Sequence, residues 1–186
     1  MKRILMVIVS VIMSCGLKCE AQRFSISTNL LGYAALGTMN VEGAYSVSRY
    51  VSVTAGFKYN PFTFGADVPE EQIQLRQRSC VVGLRVWPWH TWSGWWMAAK
   101  GRWQEYNMGG ITSPATDEGD RIGLGLYAGY THMVGPHFNI EFGLGAWGGL
   151  DWFTSYSCQT CGVLTSSGRR GFVLPDDIMI SLVYVF

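Results

Sequence analysis

Two groups of residues in this chain have the types and spacing that chemistry needs. Cys158-Gln159-Thr160-Cys161 has the CxxC spacing of redox and zinc sites, and His90, His132 and His137 are the three side chains that titrate near neutral pH. A zinc site built on CxxC needs two more ligands, and no second CxxC accompanies this one. In an exported chain the expected state is therefore a structural disulfide between Cys158 and Cys161, with a bond from one of them to Cys80 as the alternative. The histidines fall at turns and strand ends on one side of the topology derived below. A Ser-His nucleophile on the opposite side would have no base, so the histidines are read as turn caps, with no metal and no cofactor expected.

Export is read from the first residues. Lys2 and Arg3 precede an apolar stretch from Ile4 to Leu17, and Cys19-Glu20-Ala21 resembles a cleavage site, which is the layout of a secretory signal peptide over residues 1–21. The apolar run is shorter than the roughly 20 residues of a spanning helix. Ile12-Met13-Ser14-Cys15 loosely resembles a lipoprotein box, so lipidation at Cys15 is the competing route. Cleavage after Ala21 leaves 11 Lys+Arg against 12 Asp+Glu in residues 22–186, a net charge of −1. That balance excludes a nucleic-acid partner, and the length suits one domain.

The elements that position these side chains follow from periodicity. Beyond the leader no apolar segment is long enough for a membrane helix, because the richest, Trp87 to Ala99, is broken by Pro88, His90, Ser93 and Gly94. Alternation with a period of two recurs instead. Ile122, Leu124, Leu126, Ala128 and Tyr130 point one way, while Gly123, Gly125, Tyr127, Gly129 and Thr131 point the other. Eight strands are predicted: Phe24 to Tyr33, Met39 to Ser46, Tyr50 to Tyr59, Ser79 to Trp87, Trp95 to Tyr106, Arg121 to His132, Phe138 to Phe153 and Ile178 to Phe186. With the N-terminus on the periplasmic side, the connections Val47-Ser48-Arg49, Pro88 to Gly94 and Gly135-Pro136-His137 fall on that side and are short, and Asn60 to Arg78, Asn107 to Asp120 and Thr154 to Asp177 fall on the other and are long. An even count with short periplasmic turns and long outer loops is the pattern of an all-β, eight-stranded, antiparallel up-and-down transmembrane β-barrel.

Two further expectations depend on that frame. Trp87, Trp89, Trp92, Trp95, Trp96, Tyr45, Tyr50, Tyr130, Tyr184 and Phe186 fall near the periplasmic strand ends, where amphipathic rings favour the membrane boundary. Glu42, Lys58, Arg85, Lys100, Arg102 and Glu141 fall on the inward parity. Burying isolated charges is costly, so two carboxylates among four cations are read as a lumenal salt-bridge network inside a barrel too narrow for a pore.

The stretches Thr28-Asn29-Leu30-Leu31, Asn40-Val41-Glu42, Gly83-Leu84-Arg85-Val86-Trp87, Asn139-Ile140-Glu141-Phe142-Gly143-Leu144-Gly145 and Ile180-Ser181-Leu182 resemble a family of small outer-membrane proteins classed as a domain of unknown function. That family's barrel is similar to the transmembrane part of the OmpA and OmpX proteins. The resemblance implies location in the bacterial outer membrane, no assigned enzymatic activity, and an association with surface fimbrial genes. Tyr184-Val185-Phe186 also looks like the C-terminal signal read by the barrel-assembly machinery, with Tyr184 and Phe186 as its aromatic positions. The expected function is that of a non-enzymatic structural or surface-interaction protein, in contact with outer-membrane lipid and with an extracellular or fimbrial partner. A lipid-modifying barrel enzyme and a secreted β-sandwich or lipoprotein are the alternatives.

Overall fold

Period-two alternation becomes antiparallel strands along the whole described chain. The computed structural model describes residues 22–65, 72–110, 114–158, 162–176 and 178–186, so the expected leader and Cys161 lie outside the described residues. The elements are β1 (Phe24–Asn29), α1 (Leu30–Ala34), β2 (Met39–Ser48), β3 (Val51–Asn60), β4 (Thr63–Phe64), β5 (Ile73–Val86), β6 (Gly94–Gly109), β7 (Thr116–Met133), β8 (Phe138–Tyr156), β9 (Leu164–Pro175) and β10 (Met179–Val185). They form one antiparallel sheet of ten strands in the order β10-β1-β2-β3-β5-β6-β7-β8-β9, with β4 attached to β5. Because β10 pairs with β8 as well as with β1, the sheet is ring-like.

Ten strands differ from the eight expected for reasons that lie in the long connections. The segment from Asn60 to Arg78 contains β4 and the first residues of β5, and the segment from Thr154 to Asp177 contains all of β9. β9 reads LTSSGRRGFVLP, with Gly168 and Gly171 and no clean apolar alternation, so its strand character comes from pairing with β8 rather than from its own pattern. The expected strand Phe24 to Tyr33 also stops early. The Asn29 side chain accepts from the Leu31 backbone N–H at 3.2 Å, capping the single turn α1, and β1 is left only six residues long.

The wall of the ring is therefore uneven. β7 and β8 stay paired from Thr116↔Tyr156 to Met133↔Asn139, whereas β1 and β10 share only Ser25↔Val185 to Asn29↔Ser181. At the end of the ring near Gln22 and Phe186 the interior is filled by Trp87, Trp92 and Trp96 with Val183 and Val185. Trp87 is 0% exposed and donates its indole N–H to Ser52 Oγ at 3.0 Å, and Trp92 donates to the Gln22 carbonyl at 2.9 Å. Trp96 lies flat against Gly129 and Gly143, where an added Cβ would collide with the indole. These three rings were expected at a lipid boundary, and the structure corrects that: Trp87 and Trp96 have the inward parity of β5 and β6, Trp92 comes from the turn between them, and all three pack the interior. Trp89 and Trp95 are the exposed pair, and Trp95 meets Tyr130 edge-on at 5.3 Å.

Candidate functional site: the buried charge network and the exposed rim

Alternate residues of each strand turn into the ring, and there the polar groups collect in three tiers above the tryptophan layer. In the first, Arg85 from β5 lies between two carboxylates, donating to Glu141 of β8 at 2.7 Å and to Glu42 of β2 at 2.8 Å. Lys100 of β6 donates to the second oxygen of Glu42, and Thr131 donates to Glu141 at 2.9 Å. In the second, Arg102 grips Asp176 with both guanidinium nitrogens, while Lys58 stands 3.7 Å from the same carboxylate and the Tyr127 hydroxyl donates to it at 2.8 Å. In the third, Asp151 is 0% exposed and accepts from Tyr106 and from Arg170 at 2.8 Å each, with Arg121 at 3.4 Å.

All six charges expected to face inward are thus in the interior, and they meet in the first two tiers. Three carboxylates rather than two serve them, because Asp176 joins from the segment between β9 and β10. Asp151, Arg121 and Arg170 form a tier that the strand reading did not single out. One available signal was parity: Asp151 lies ten residues after Glu141 on the same alternation of β8. Most interior cations also lie over a ring: Arg85 over Trp96 at 4.2 Å, Arg102 over Trp147 at 4.7 Å, Lys100 over Tyr127 at 5.3 Å and Arg121 over Tyr106 at 3.7 Å. A guanidinium with a carboxylate in its plane and an aromatic face beneath has its charge matched on two sides, which is how buried cations are tolerated.

The space left inside is small. A cavity of about 60 Å³ remains among Asn40, Glu42, Lys58, Arg85, Arg102 and Asp176. Ligand pockets run to roughly 300–1,000 Å³, so an organic substrate does not fit there. A wider concavity of about 580 Å³ opens at the other level of the wall, lined by Tyr59, Arg76, Arg78, Glu105, Asp120 and Trp152. Arg78 and Glu105 pair across its face, about half exposed, and such surface pairs contribute about 0–1 kcal/mol. Further up, Glu118 accepts from the Tyr156 hydroxyl at 2.9 Å, and that hydrogen bond holds the Tyr156 phenol above its ordinary range.

The other residues with chemical potential are dispersed. His90 and His137 each place Nδ1 2.8 Å from a backbone carbonyl, of Thr91 and Val185 respectively, as turn residues do. His132 is exposed at the end of β7, and among the described residues no three His, Cys, Asp or Glu side chains are grouped to hold a metal ion. Cys158 is disulfide-bonded, whereas Cys80 is free and exposed on the outward face of β5. Alkylation of the folded chain without reductant is accordingly expected to label Cys80 and leave Cys158 unmodified; labelling of Cys158 would contradict this assignment. The terminal aromatics are anchored at the filled end of the ring, where Tyr184 stacks near His137 at 5.7 Å and the Phe186 N–H donates to the Phe24 carbonyl at 2.8 Å.

Comparison with known proteins adds one assignment. No curated protein and no solved structure matches the chain, so the expected likeness to the OmpA and OmpX barrels finds no support among them. A family model does match, over residues 5–186, and the chain belongs to that family, described as protein of unknown function DUF3575.

Proposed function

We propose that this chain is an eight-stranded transmembrane β-barrel of the bacterial outer membrane, closed at its periplasmic end, and that it acts as a non-enzymatic surface-interaction protein through the tall sheet on its outer side. Eight strands make the circuit β1-β2-β3-β5-β6-β7-β8-β10, with β9 prolonging β10 upward and β4 a short addition.

The observation that carries the reading is the sequence of outward-facing rows read across the strand pairings. Ala55, Val82, Gly101, Leu124, Gly148 and Val173 form one row, and Val53, Leu84, Ala99, Leu126, Ala146 and Pro175 form the next. These rows carry no charge, and Leu124 and Leu126 are about three-quarters exposed. Large apolar patches left to water are unusual in soluble proteins. Two rows above, the composition changes at once: Tyr59, Arg78, Glu105, Asp120, Trp152 and Arg169 are aligned. Below, Trp95, Tyr130 and Phe142 make an aromatic row. From Asp120 to His132 twelve residue steps of about 3.3 Å, tilted about 40°, rise by roughly 30 Å, which suits an apolar band of about 25 Å with its boundaries. The polar interior and apolar exterior are inverted relative to a soluble sheet, as lipid requires.

A filled tryptophan end and three tiers of ion pairs occupy the interior, so transport is not the function favoured here. The tall sheet of β5 to β9 above the charged row is the part available to a partner. The test is fractionation and gel mobility. The folded chain is expected to stay with membranes through a carbonate wash and to migrate differently before and after boiling, and deleting Phe186 should lower the inserted amount. Release by carbonate would remove the membrane assignment.

A further inference from the structure

Among the described strands, β9 pairs with β8 alone. The strand that would cover its other edge is β1, which runs antiparallel to β10 and ends at Asn29, opposite Ser181, where α1 turns the chain away. The edge of β9 from Leu164 to Pro175 therefore presents backbone donors and acceptors that no described strand satisfies. Proteins usually blunt such edges. Here Pro175 offers no N–H at the lower end and pairs with Ala146 in the apolar rows, and Arg169 and Arg170 charge the middle of the strand, which leaves Leu164 to Gly168 with neither device. Above Arg169, in the membrane-spanning frame proposed above, the edge stands outside the lipid.

We infer that this edge is a docking strand: an extended, carboxylate-bearing segment of a partner protein adds to the sheet antiparallel to β9, continuing the line on which β1 stops. The inference rests on the membrane-embedded reading, which decides what part of β9 is accessible. Charge chooses the partner's chemistry. Residues 164–175 include Arg169 and Arg170 and no carboxylate. Arg170 is turned inward to Asp151 and Asp117, while Arg169 is exposed in the outward row beside Trp152. An incoming strand thus meets backbone groups along its length and one outward cation at the Arg169 row.

Other occupants fit less well. Two copies in one membrane share an orientation, and a twofold axis along the membrane normal sets their β9 strands, each tilted about 40°, across each other rather than into one ladder. An antiparallel self-pairing centred on the strand would instead set Arg169 of each copy against Arg170 of the other. A lipid acyl chain has neither donor nor acceptor for the edge.

The experiment uses the full chain folded in detergent micelles, its folding checked independently by heat-modifiable mobility. Two synthetic probes are added, a peptide alternating Val with Glu and its Val/Lys counterpart, and amide hydrogen exchange is followed across β9. The Val/Glu peptide is expected to bind and slow exchange from Leu164 to Arg170, and the Val/Lys peptide is not. Arg169→Glu, an exposed change that leaves the interior tiers intact, should weaken the Val/Glu peptide on the order of tenfold and favour the Val/Lys peptide. The inference is overturned if β9 amides are unaffected by the Val/Glu peptide, if both peptides bind alike, or if the edge becomes protected by lipid alone or by self-association. Loss of heat-modifiable mobility would be a failure of the membrane reading, and it is scored separately from the peptide result.

Discussion

Replacing Arg85 with Met is expected to destabilise the folded protein by about 3–5 kcal/mol, the usual loss when one partner of a buried ion pair is removed. Glu141 is 4% exposed, and its charge is balanced by Arg85, with Thr131 contributing only a neutral hydrogen bond. Met keeps much of the volume over Trp96 but leaves a carboxylate in a low-dielectric interior. Glu42 suffers less because Lys100 remains with it. The measurement is the urea midpoint of the lipid- or detergent-folded protein. A second variant decides whether charge or packing is responsible: Arg85→Met combined with Glu141→Gln removes both charges and should recover a substantial part of the loss. As a surface comparison, Glu105→Gln breaks an exposed pair and should shift stability by less than about 1 kcal/mol. Equal midpoints for Arg85→Met and Glu105→Gln would mean that the first tier contributes nothing.

Trp96→Ala carries the other large effect, and it has two readouts. The indole is 1% exposed, pressed between the Arg85 guanidinium and the flat backbones at Gly129 and Gly143. Truncating such a ring costs roughly 3–5 kcal/mol, since the neighbouring glycines have no side chains with which to fill the space. The same truncation opens the filled end of the ring. In a planar bilayer the wild-type chain is expected to pass no steady current, whereas Trp96→Ala should show small, fluctuating openings as water reaches the first tier. A steady conductance in the wild type would exclude the closed interior proposed here.

Much of this arrangement is legible in the residues. The alternation around Leu124 and Leu126 places the outward rows, and the same parity turns Glu42, Arg85, Lys100, Arg102 and Glu141 inward. What escapes the pattern has physical causes. Asp176 and Arg170 lie in a stretch whose glycines and consecutive arginines read as loop, and only pairing with β8 makes it strand. Asn29-Leu30-Leu31 reads as the end of a strand, but the Asn29 side chain satisfies the Leu31 N–H and starts a helical turn instead. Trp87 and Trp96 share the inward parity of Arg85 and Lys100, so the alternation that turns the charges inward turns these rings inward too, whereas Trp92 sits in the turn before β6, where no parity applies. The side on which they fall depends on strand register to the residue.

Asp176 follows β9 and precedes β10, the strand that closes the ring, and its N–H donates to the Gly145 carbonyl of β8 at 2.8 Å, so pairing with β8 carries its carboxylate to Arg102 and Lys58. The seam it arrives with is short, five pairs between β1 and β10, set against the long ladders of β6, β7 and β8. The carboxylate thus ties the junction of β9 and β10 across the interior to β3 and β6, strands with which neither of them pairs in the wall.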